Sequence, residues 1–137
     1  QGIRKEDCYI SFPGVNTLRY RRADQAGYAL PETKTLSLRE GCAPYQADIP
    51  GTWIFEDGQV RQVGINLPDG NPCVMLHCDQ FPMLAVWANP SGPFICLEPW
   101  FGRTDDKGFQ GTIDQKKAIQ RLEGGEKKEI FYSIEFF

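Results

Sequence analysis

The sequence lacks several features that would have pointed to common classes of function. It has a single histidine, His77, and its five cysteines include no Cys-x-x-Cys pair, so the regularly spaced ligands of a zinc site are missing. No apolar run approaches the ~20 residues that a membrane span needs. No basic stripe of the kind that contacts nucleic acid stands out. We therefore expect no metal site, no membrane contact and no nucleic-acid partner.

The composition is that of an ordinary globular domain. The chain has 137 residues, of which 41% are hydrophobic and 24% charged, with a formal net charge of -3. This length suits one domain with a real core, so we expect residues 1–137 to form a single domain. The polar opening segment, residues 1–7, has no apolar stretch and is not a signal peptide. The irregularly spaced cysteines are typical of small buried thiols in a reducing compartment, which predicts a cytoplasmic location.

Short strands dominate the pattern of hydrophobic residues. Apolar residues either alternate with polar ones or run continuously, as expected of half-buried and fully buried strands. The predicted strands are 7–12, 17–22, 35–39, 52–55, 60–66, 73–78, 83–87, 94–97 and 128–137. Residues 114–122 fit either one or two helical turns or a loop that ends in a short strand. The sum predicts an all-β fold, an antiparallel β-sandwich.

A carboxylate at the end of one apolar stretch is the sharpest local oddity. Glu98 follows four apolar residues and precedes Pro99, which we expect to end the strand. A charge at the end of a buried strand is costly unless it is paired or lies in a cleft. The residues alone allow two hypotheses: Glu98 is a functional group in a cleft, or it forms a structural salt bridge with Arg103.

Side chains that suit a sugar lie close to Glu98 in the sequence. Trp87 and Trp100 offer flat apolar faces of the kind that hold sugar rings. Arg103 and Asp105, in a glycine-flanked loop, supply groups that can hydrogen-bond a polyhydroxyl ligand. The alternative for this loop is an ordinary solvated turn.

The sequence from Phe81 onward resembles the C-terminal end of the aldose 1-epimerase (galactose mutarotase-like) family, in its LacX-type branch. The resemblance is looser over residues 7–66. It is carried by an apolar strand before the motif, a Glu-Pro-Trp motif, a Gly-Arg-x-Asp motif and a Gly-Glu turn before a last alternating strand. These are Phe81-Pro82-Met83-Leu84-Ala85-Val86-Trp87, Glu98-Pro99-Trp100, Gly102-Arg103-Thr104-Asp105 and Gly125-Glu126.

The resemblance implies a β-supersandwich and an isomerase that interconverts the α and β anomers of a hexose or hexose phosphate. It assigns Glu98 as the general base that takes the proton of the anomeric hydroxyl, while a histidine protonates the ring oxygen. Trp87, Trp100, Arg103 and Asp105 would bind the sugar. Both steps are proton transfers, so the resemblance implies no metal and no organic cofactor.

The sequence departs from the family in its length and its histidines. Family members are much longer, and their catalytic histidines lie in the part that precedes the position of Asp7. His77 does not match their motif, and we expect it to be a core or cross-strand histidine. We therefore expect this chain to be the C-terminal half of such a sandwich, inactive without an N-terminal half that supplies the acid.

Two other classes of function remain open. The chain could be a non-catalytic carbohydrate-binding module that keeps the sugar contacts, or a structural interaction domain. We also expect the free strand edges of an incomplete half to pair with the N-terminal half or with another copy of the chain, as a homo-oligomer.

Overall fold

A computed structural model describes residues 2–45 and 52–137, so Gln1 of the opening segment lies outside it. In the described part, apart from two short 3-10 helices, regular structure consists of strands. The strands are β1 (Tyr9–Ser11), β2 (Thr17–Arg22), β3 (Lys34–Ser37), β4 (Cys42–Pro44), β5 (Trp53–Phe55), β6 (Gln62–Asn66), β7 (Pro72–His77), β8 (Met83–Trp87), β9 (Cys96–Trp100) and β10 (Ser133–Phe136). The 3-10 helices are Lys5–Asp7 and Ile113–Gln115. No helix in these ranges is long and apolar enough to cross a membrane.

The strands form two five-stranded antiparallel sheets. Sheet 1 has the order β10-β7-β6-β1-β4, and sheet 2 has the order β3-β2-β5-β8-β9. One apolar cluster lies between the two sheets and draws on both. This confirms the predicted all-β fold, an antiparallel sandwich.

The core between the sheets is built from alternate residues of each strand. Ile10 and Val63 from sheet 1 and Trp53, Phe55 and Leu84 from sheet 2 are at most 1% exposed. Burial of one such side chain stabilises the fold by roughly 1.5–3 kcal/mol. The alternation means that the residues between these positions on sheet 2 point away from sheet 1, and this outer face carries the candidate site.

β9 extends further than the sequence predicted. The prediction ended this strand at residue 97, before Pro99, whereas the strand continues through Pro99 to Trp100. That prediction was wrong because β9 lies at the edge of sheet 2. Proline is tolerated in an edge strand, since one side of the strand has no neighbour to which an N–H must donate.

The other differences concern short or terminal elements. β4 was not predicted, because three residues ending in proline give little signal without their partner, β1. Gly41 directly precedes it; the φ of +75° there favours glycine, and a Cβ would lie 2.9 Å from the carbonyl oxygen of Phe12. The last strand occupies only Ser133–Phe136 of the predicted 128–137, and the segment 114–122 contains part of one 3-10 turn.

Candidate functional site

Glu98 lies on the outer face of sheet 2. Ile54, Ala85 and Glu98 are consecutive partners across three strands, and their side chains therefore share one face. On the two inner strands the flanking residues Trp53, Phe55, Leu84 and Val86 belong to the core between the sheets, and Leu97 of β9 packs against it. Glu98 is half-buried. Ala85, the residue opposite it, is fully buried.

The two predicted indoles share this face with Glu98. Trp87 pairs with Cys96, two residues before Glu98, and Trp100 lies two residues after it. Residues two apart along a strand are separated by about 7 Å. Trp100 therefore lies about that far from Glu98 along β9, and Trp87 lies diagonally across from Glu98 on β8, in the opposite direction. The Trp87 ring also lies 5.8 Å from that of Phe94, centroid to centroid. The structure thus brings Glu98 and both indoles together, and their role in sugar binding stays a prediction.

Trp100 also contributes to a second, smaller apolar cluster. Its half-buried side chain packs against Ala23, Ala29 and Ile54. These contacts hold the indole over the outer face of sheet 2 and fix part of the loop between β2 and β3. Trp100 is therefore anchored by packing rather than free to rotate.

Cys96 is a neighbour of Glu98 that sequence reasoning did not single out. Burial raises the pKa of the Cys96 thiol, and the charge of Glu98 and a hydrogen bond with it raise that pKa further. Alternate residues of a strand share a face, so Cys96 lies on the same face as Glu98 and Trp100. This alternation in the sequence was enough to predict that Cys96 is a neighbour of Glu98.

Arg103 binds a carboxylate other than Glu98. Its Nε lies 2.7 Å from Oε1 of Glu56, and its Nη2 lies 2.8 Å from Oδ1 of Asp106. Its Nη1 donates to the carbonyl oxygen of Thr104 at 2.7 Å. The Arg103 side chain is only 2% exposed. The salt bridge between Glu98 and Arg103 that the sequence left open is not formed, and Glu98 has no ion pair with any described residue.

Glu56 joins two arginines beneath the loop that follows β9. Its second oxygen, Oε2, accepts a hydrogen bond from Nε of Arg21 at 3.0 Å. Burial of the Glu56 carboxylate raises its pKa, but hydrogen bonds and charge from Arg103, helped by Arg21 and Lys117, outweigh burial and leave the pKa below its usual value. The carboxylate is therefore ionised, and the group holds the start of the loop against β5.

Asp105 lies on the same loop and has its own partners. Its carboxylate binds Nζ of Lys116 at 2.8 Å. Its carbonyl oxygen accepts a hydrogen bond from the backbone N–H of Ala29 at 2.8 Å. These contacts tie the loop to the segment that also packs on Trp100. The part of Asp105 in sugar binding stays a prediction.

Two depressions flank the loop after β9. One, of about 470 Å³, is lined by Pro99, Trp100, Phe101, Gly102, Arg103, Thr104 and Ile119. The other, of about 320 Å³, is lined by Arg21, Ala29, Pro31, Arg103, Asp106, Lys107 and Lys117. Of the predicted site residues, Trp100 and Arg103 line the first and Arg103 the second. Glu98, Trp87 and Asp105 line neither.

His77 is distant from Glu98 in the fold. It lies in β7 of sheet 1, and its Nε2 is 3.4 Å from Oε2 of Glu135 on the neighbouring β10. Leu76, the preceding residue, faces the core, so His77 points away from sheet 2. Packed sheets are about 10 Å apart, and the whole sandwich therefore separates His77 from Glu98. The prediction of a cross-strand histidine is confirmed.

The ion pairs of Glu56 were missed by sequence reasoning. Glu56 directly precedes Asp57-Gly58, a pair typical of a tight turn, and nothing in that local sequence indicates a buried carboxylate. Its partner Arg103 is 47 residues away, and no local pattern signals a contact at that separation.

Comparisons with known proteins give the fold but no close relative. No protein-family description and no curated protein sequence matches the chain. Two solved structures match it. A galactose mutarotase related enzyme from Lactobacillus acidophilus matches with a TM-score of 0.82 and 20% identity, over 100% of this chain and 47% of that one.

The second is a galactose mutarotase-like protein from Lactobacillus casei, with a TM-score of 0.80 and 19% identity over 96% of this chain and 47% of that one. This chain thus spans slightly less than half of the length of each. It has the fold of galactose mutarotase-like proteins.

Proposed function

We propose that the chain is the catalytic C-terminal part of an aldose 1-epimerase-like isomerase, which interconverts the α and β anomers of a hexose. The observation that carries the proposal is the position of Glu98: half-buried, without an ion pair among the described residues, and on the same outer face of sheet 2 as Trp87 and Trp100. The shared fold supports the same reading. We propose the cytoplasm as its location.

Two proton transfers carry the proposed reaction. The Glu98 carboxylate takes the proton of the anomeric hydroxyl as the carbonyl bond forms at C1. The bond between C1 and the ring oxygen breaks, its electron pair goes to the ring oxygen, and an acid protonates that oxygen. The open-chain aldehyde rotates about the bond between C1 and C2, and the reverse steps close the ring as the other anomer. A carboxylate within hydrogen-bond reach of the hydroxyl is a suitable general base.

The remaining predicted residues would bind and orient the sugar. The indoles of Trp87 and Trp100 present apolar faces on either side of Glu98. Arg103 lines the depression beside Trp100, and Asp105 lies two residues further along the loop. Because Arg103 is held by Glu56, its remaining N–H groups are fixed in direction, which favours a defined hydrogen bond over a flexible one.

The acid has to come from another polypeptide segment. The only histidine in the sequence, His77, points to the opposite side of the sandwich. We therefore propose that the N-terminal half of such a sandwich is the partner and supplies the acidic histidine. The isolated chain should then give no turnover.

Polarimetry tests the proposal. The rate of mutarotation of α-glucose and α-galactose is measured with the chain combined with its N-terminal half, as wild type, Glu98→Gln and Glu135→Gln. Glu135 serves as the matched control because it lies on sheet 1, beside His77. We expect Glu98→Gln to lose about 10²-fold or more of the acceleration and Glu135→Gln to keep it. Equal rates for all three proteins would refute the role of Glu98.

A non-catalytic carbohydrate-binding module is the second candidate. It is favoured by the absence of a histidine from the described residues of the face that carries Glu98. In this case a sugar would change the fluorescence of Trp87 and Trp100, but no combination of halves would accelerate mutarotation. If neither sugar changes the fluorescence, the chain is a structural interaction domain.

A further inference from the structure

The fold buries the side chain of Lys5. This residue begins the 3-10 helix ahead of β1, and its side chain is only 7% exposed. Lysine is rarely buried unless its ammonium group has partners. The Glu6 carboxylate lies 3.8 Å from Nζ, and the centre of the Tyr45 ring lies 6.0 Å from it. Both distances are too long for a hydrogen bond, so the donors of the ammonium group bind elsewhere.

The ammonium group of Lys5 binds the loop that joins β8 to β9. Nζ donates to the carbonyl oxygens of Asn89, Pro90 and Gly92, and the last two distances are 3.2 and 2.5 Å. An ammonium group has three N–H donors, so this one loop supplies an acceptor for each. Asn89 is 84 residues from Lys5 along the chain, and the contact therefore joins two distant parts of the sequence.

Asn89 is the centre of hydrogen bonds inside this loop, residues 88–95. Its Oδ1 accepts from the backbone N–H of Ser91 at 2.9 Å, and its carbonyl oxygen accepts from that of Gly92 at 3.1 Å. Two prolines in the loop have no N–H to donate. Lys5 adds three hydrogen bonds from outside the loop, and we expect them to limit its motion.

The same loop carries Phe94, whose ring packs on that of Trp87. The two ring centroids are 5.8 Å apart. The Phe94 ring also lies close to Gly92, because a Cβ added there would be 2.6 Å from Cε1 of the ring. Since Lys5 binds the carbonyl oxygen of Gly92, an unbroken path of contacts leads from Lys5 through Gly92 and Phe94 to Trp87.

The direction of the Trp87 ring depends on its neighbours. β8 fixes the backbone of Trp87, but the ring can still rotate about two side-chain bonds. Trp100 is held by an apolar cluster of its own, whereas the aromatic ring that packs on Trp87 is that of Phe94. A loop that Lys5 holds in place therefore keeps the Trp87 ring in one orientation.

We propose that Lys5 is a positioning residue for Trp87. By binding the loop, its ammonium group fixes Phe94 and thereby the indole face against which a sugar ring would lie. The effect on sugar binding rests on the proposed function, whereas the contacts that link Lys5 to Trp87 do not. An indole face binds the ground state and the transition state about equally, so its displacement should raise KM and leave kcat nearly unchanged.

NMR spectroscopy of the indole N–H groups tests the path from Lys5 to Trp87. The signal of Trp87 is the one that disappears in Trp87→Phe. Lys5→Met keeps an unbranched side chain but removes all three donors, and we expect it to shift or broaden the Trp87 signal and to leave that of Trp53 in place. Trp53 reports on the core, because it is fully buried between the sheets.

Gly92→Ala tests the same path without removing the charge. The added Cβ would meet the Phe94 ring, so we expect this variant to shift the Trp87 signal too. Lys34→Met is the matched control, because the Lys34 side chain is 45% exposed and its Nζ lies 3.7 Å from a carboxylate oxygen of Glu32. The control should leave the Trp87 signal unchanged.

Sugar binding gives the second readout. Titration of the Trp87 signal with galactose measures the Kd, which we expect Lys5→Met and Gly92→Ala each to raise about tenfold. With the two halves combined, KM should rise by a similar factor, while kcat changes by less than about twofold. Lys34→Met should match wild type in all three quantities.

The outcomes separate this proposal from the proposed function. An unchanged Trp87 signal in Lys5→Met would overturn the proposal, and a lower Tm of that variant would then show that Lys5 only stabilises the fold. A shifted signal with an unchanged Kd would overturn the role of Lys5 in sugar binding. If Lys5→Met also loses the Trp53 signal, Lys5→Gln, whose amide keeps two donors, takes its place. If wild type does not respond to galactose, the proposed function fails at this face, whereas the Trp87 signal of the variants still decides whether Lys5 positions Trp87.

Discussion

Replacing Glu56 by glutamine removes the charge that joins two arginines below the loop after β9. The Glu56 side chain is 11% exposed and accepts from Arg103 at 2.7 Å and from Arg21 at 3.0 Å. Glutamine keeps the shape, but its amide cannot accept through both terminal atoms. If the amide turns its NH₂ group toward Arg103, the buried guanidinium keeps only Asp106 and the carbonyl of Thr104. If it turns its NH₂ group toward Arg21, that guanidinium loses its acceptor on residue 56.

The expected cost follows from this geometry. Breaking a buried ion pair by removing one partner typically costs 3–5 kcal/mol. Because Arg103 retains two partners and Arg21 is 26% exposed, we expect a smaller loss, about 2–3 kcal/mol in the free energy of unfolding. For a domain of this size that corresponds to a fall in Tm of about 10 °C.

Urea denaturation at neutral pH measures the loss. Asp57→Asn is the control, because Asp57 is 65% exposed and its nearest guanidinium nitrogen, on Arg19, is 3.8 Å away; we expect less than about 0.5 kcal/mol there. A loss below about 1 kcal/mol for Glu56→Gln would refute the view that this ion-pair group anchors the loop.

The pH dependence of the free energy of unfolding gives a second test of the Glu56 ion pairs. The pKa of Glu56 in the folded protein is below its ordinary value of 4.5, so its ionisation stabilises the fold above about pH 4.5 and that contribution is lost as the pH falls through the lower, folded pKa. The stability difference between wild type and Glu56→Gln should therefore be constant near neutral pH and shrink in acid. A difference that grows in acid would contradict the assignment.

Two further predictions concern the backbone and the thiols. Gly41→Ala should lower the free energy of unfolding by about 2 kcal/mol or more, because it adds a Cβ 2.9 Å from the carbonyl oxygen of Phe12 at a φ of +75°. The control Gly58→Ala, at a φ of +63° with nothing within 4 Å, should lower it by about 1 kcal/mol. Urea denaturation measures both, and equal losses would argue against a close approach at Gly41. Cys73 is exposed, whereas burial raises the pKa of Cys78 to about 11. Iodoacetamide at pH 8 should therefore modify Cys73 of the native protein well before Cys78, as followed by mass spectrometry. Comparable rates of modification would contradict the burial of Cys78.

Local patterns predict those parts of the fold that depend on one strand at a time. β2 and β8 have the predicted bounds, because apolar and polar residues alternate at the start of β2 and β8 is one continuous apolar run. β4 and the extension of β9 through Pro99 depend on which strands pair and which lie at an edge, and a single sequence does not contain that information.

The candidate site divides in the same way. Alternation along β9 is enough to place Glu98 and Trp100 on one face. Trp87, which the sequence also singled out, joins them only through the register between β8 and β9, which no local pattern specifies. The contact between Arg103 and Glu56 spans two sequence regions, and the charge of Arg103 alone gave no means of choosing between Glu98 and Glu56 as its partner.

The most direct test of Glu98 as a base is magnetisation transfer between the anomeric protons of α- and β-galactose, followed by NMR in the presence of the two combined halves. We predict clear transfer with wild type and with Glu135→Gln, and none above the uncatalysed level with Glu98→Gln. Unchanged transfer with Glu98→Gln would contradict the account.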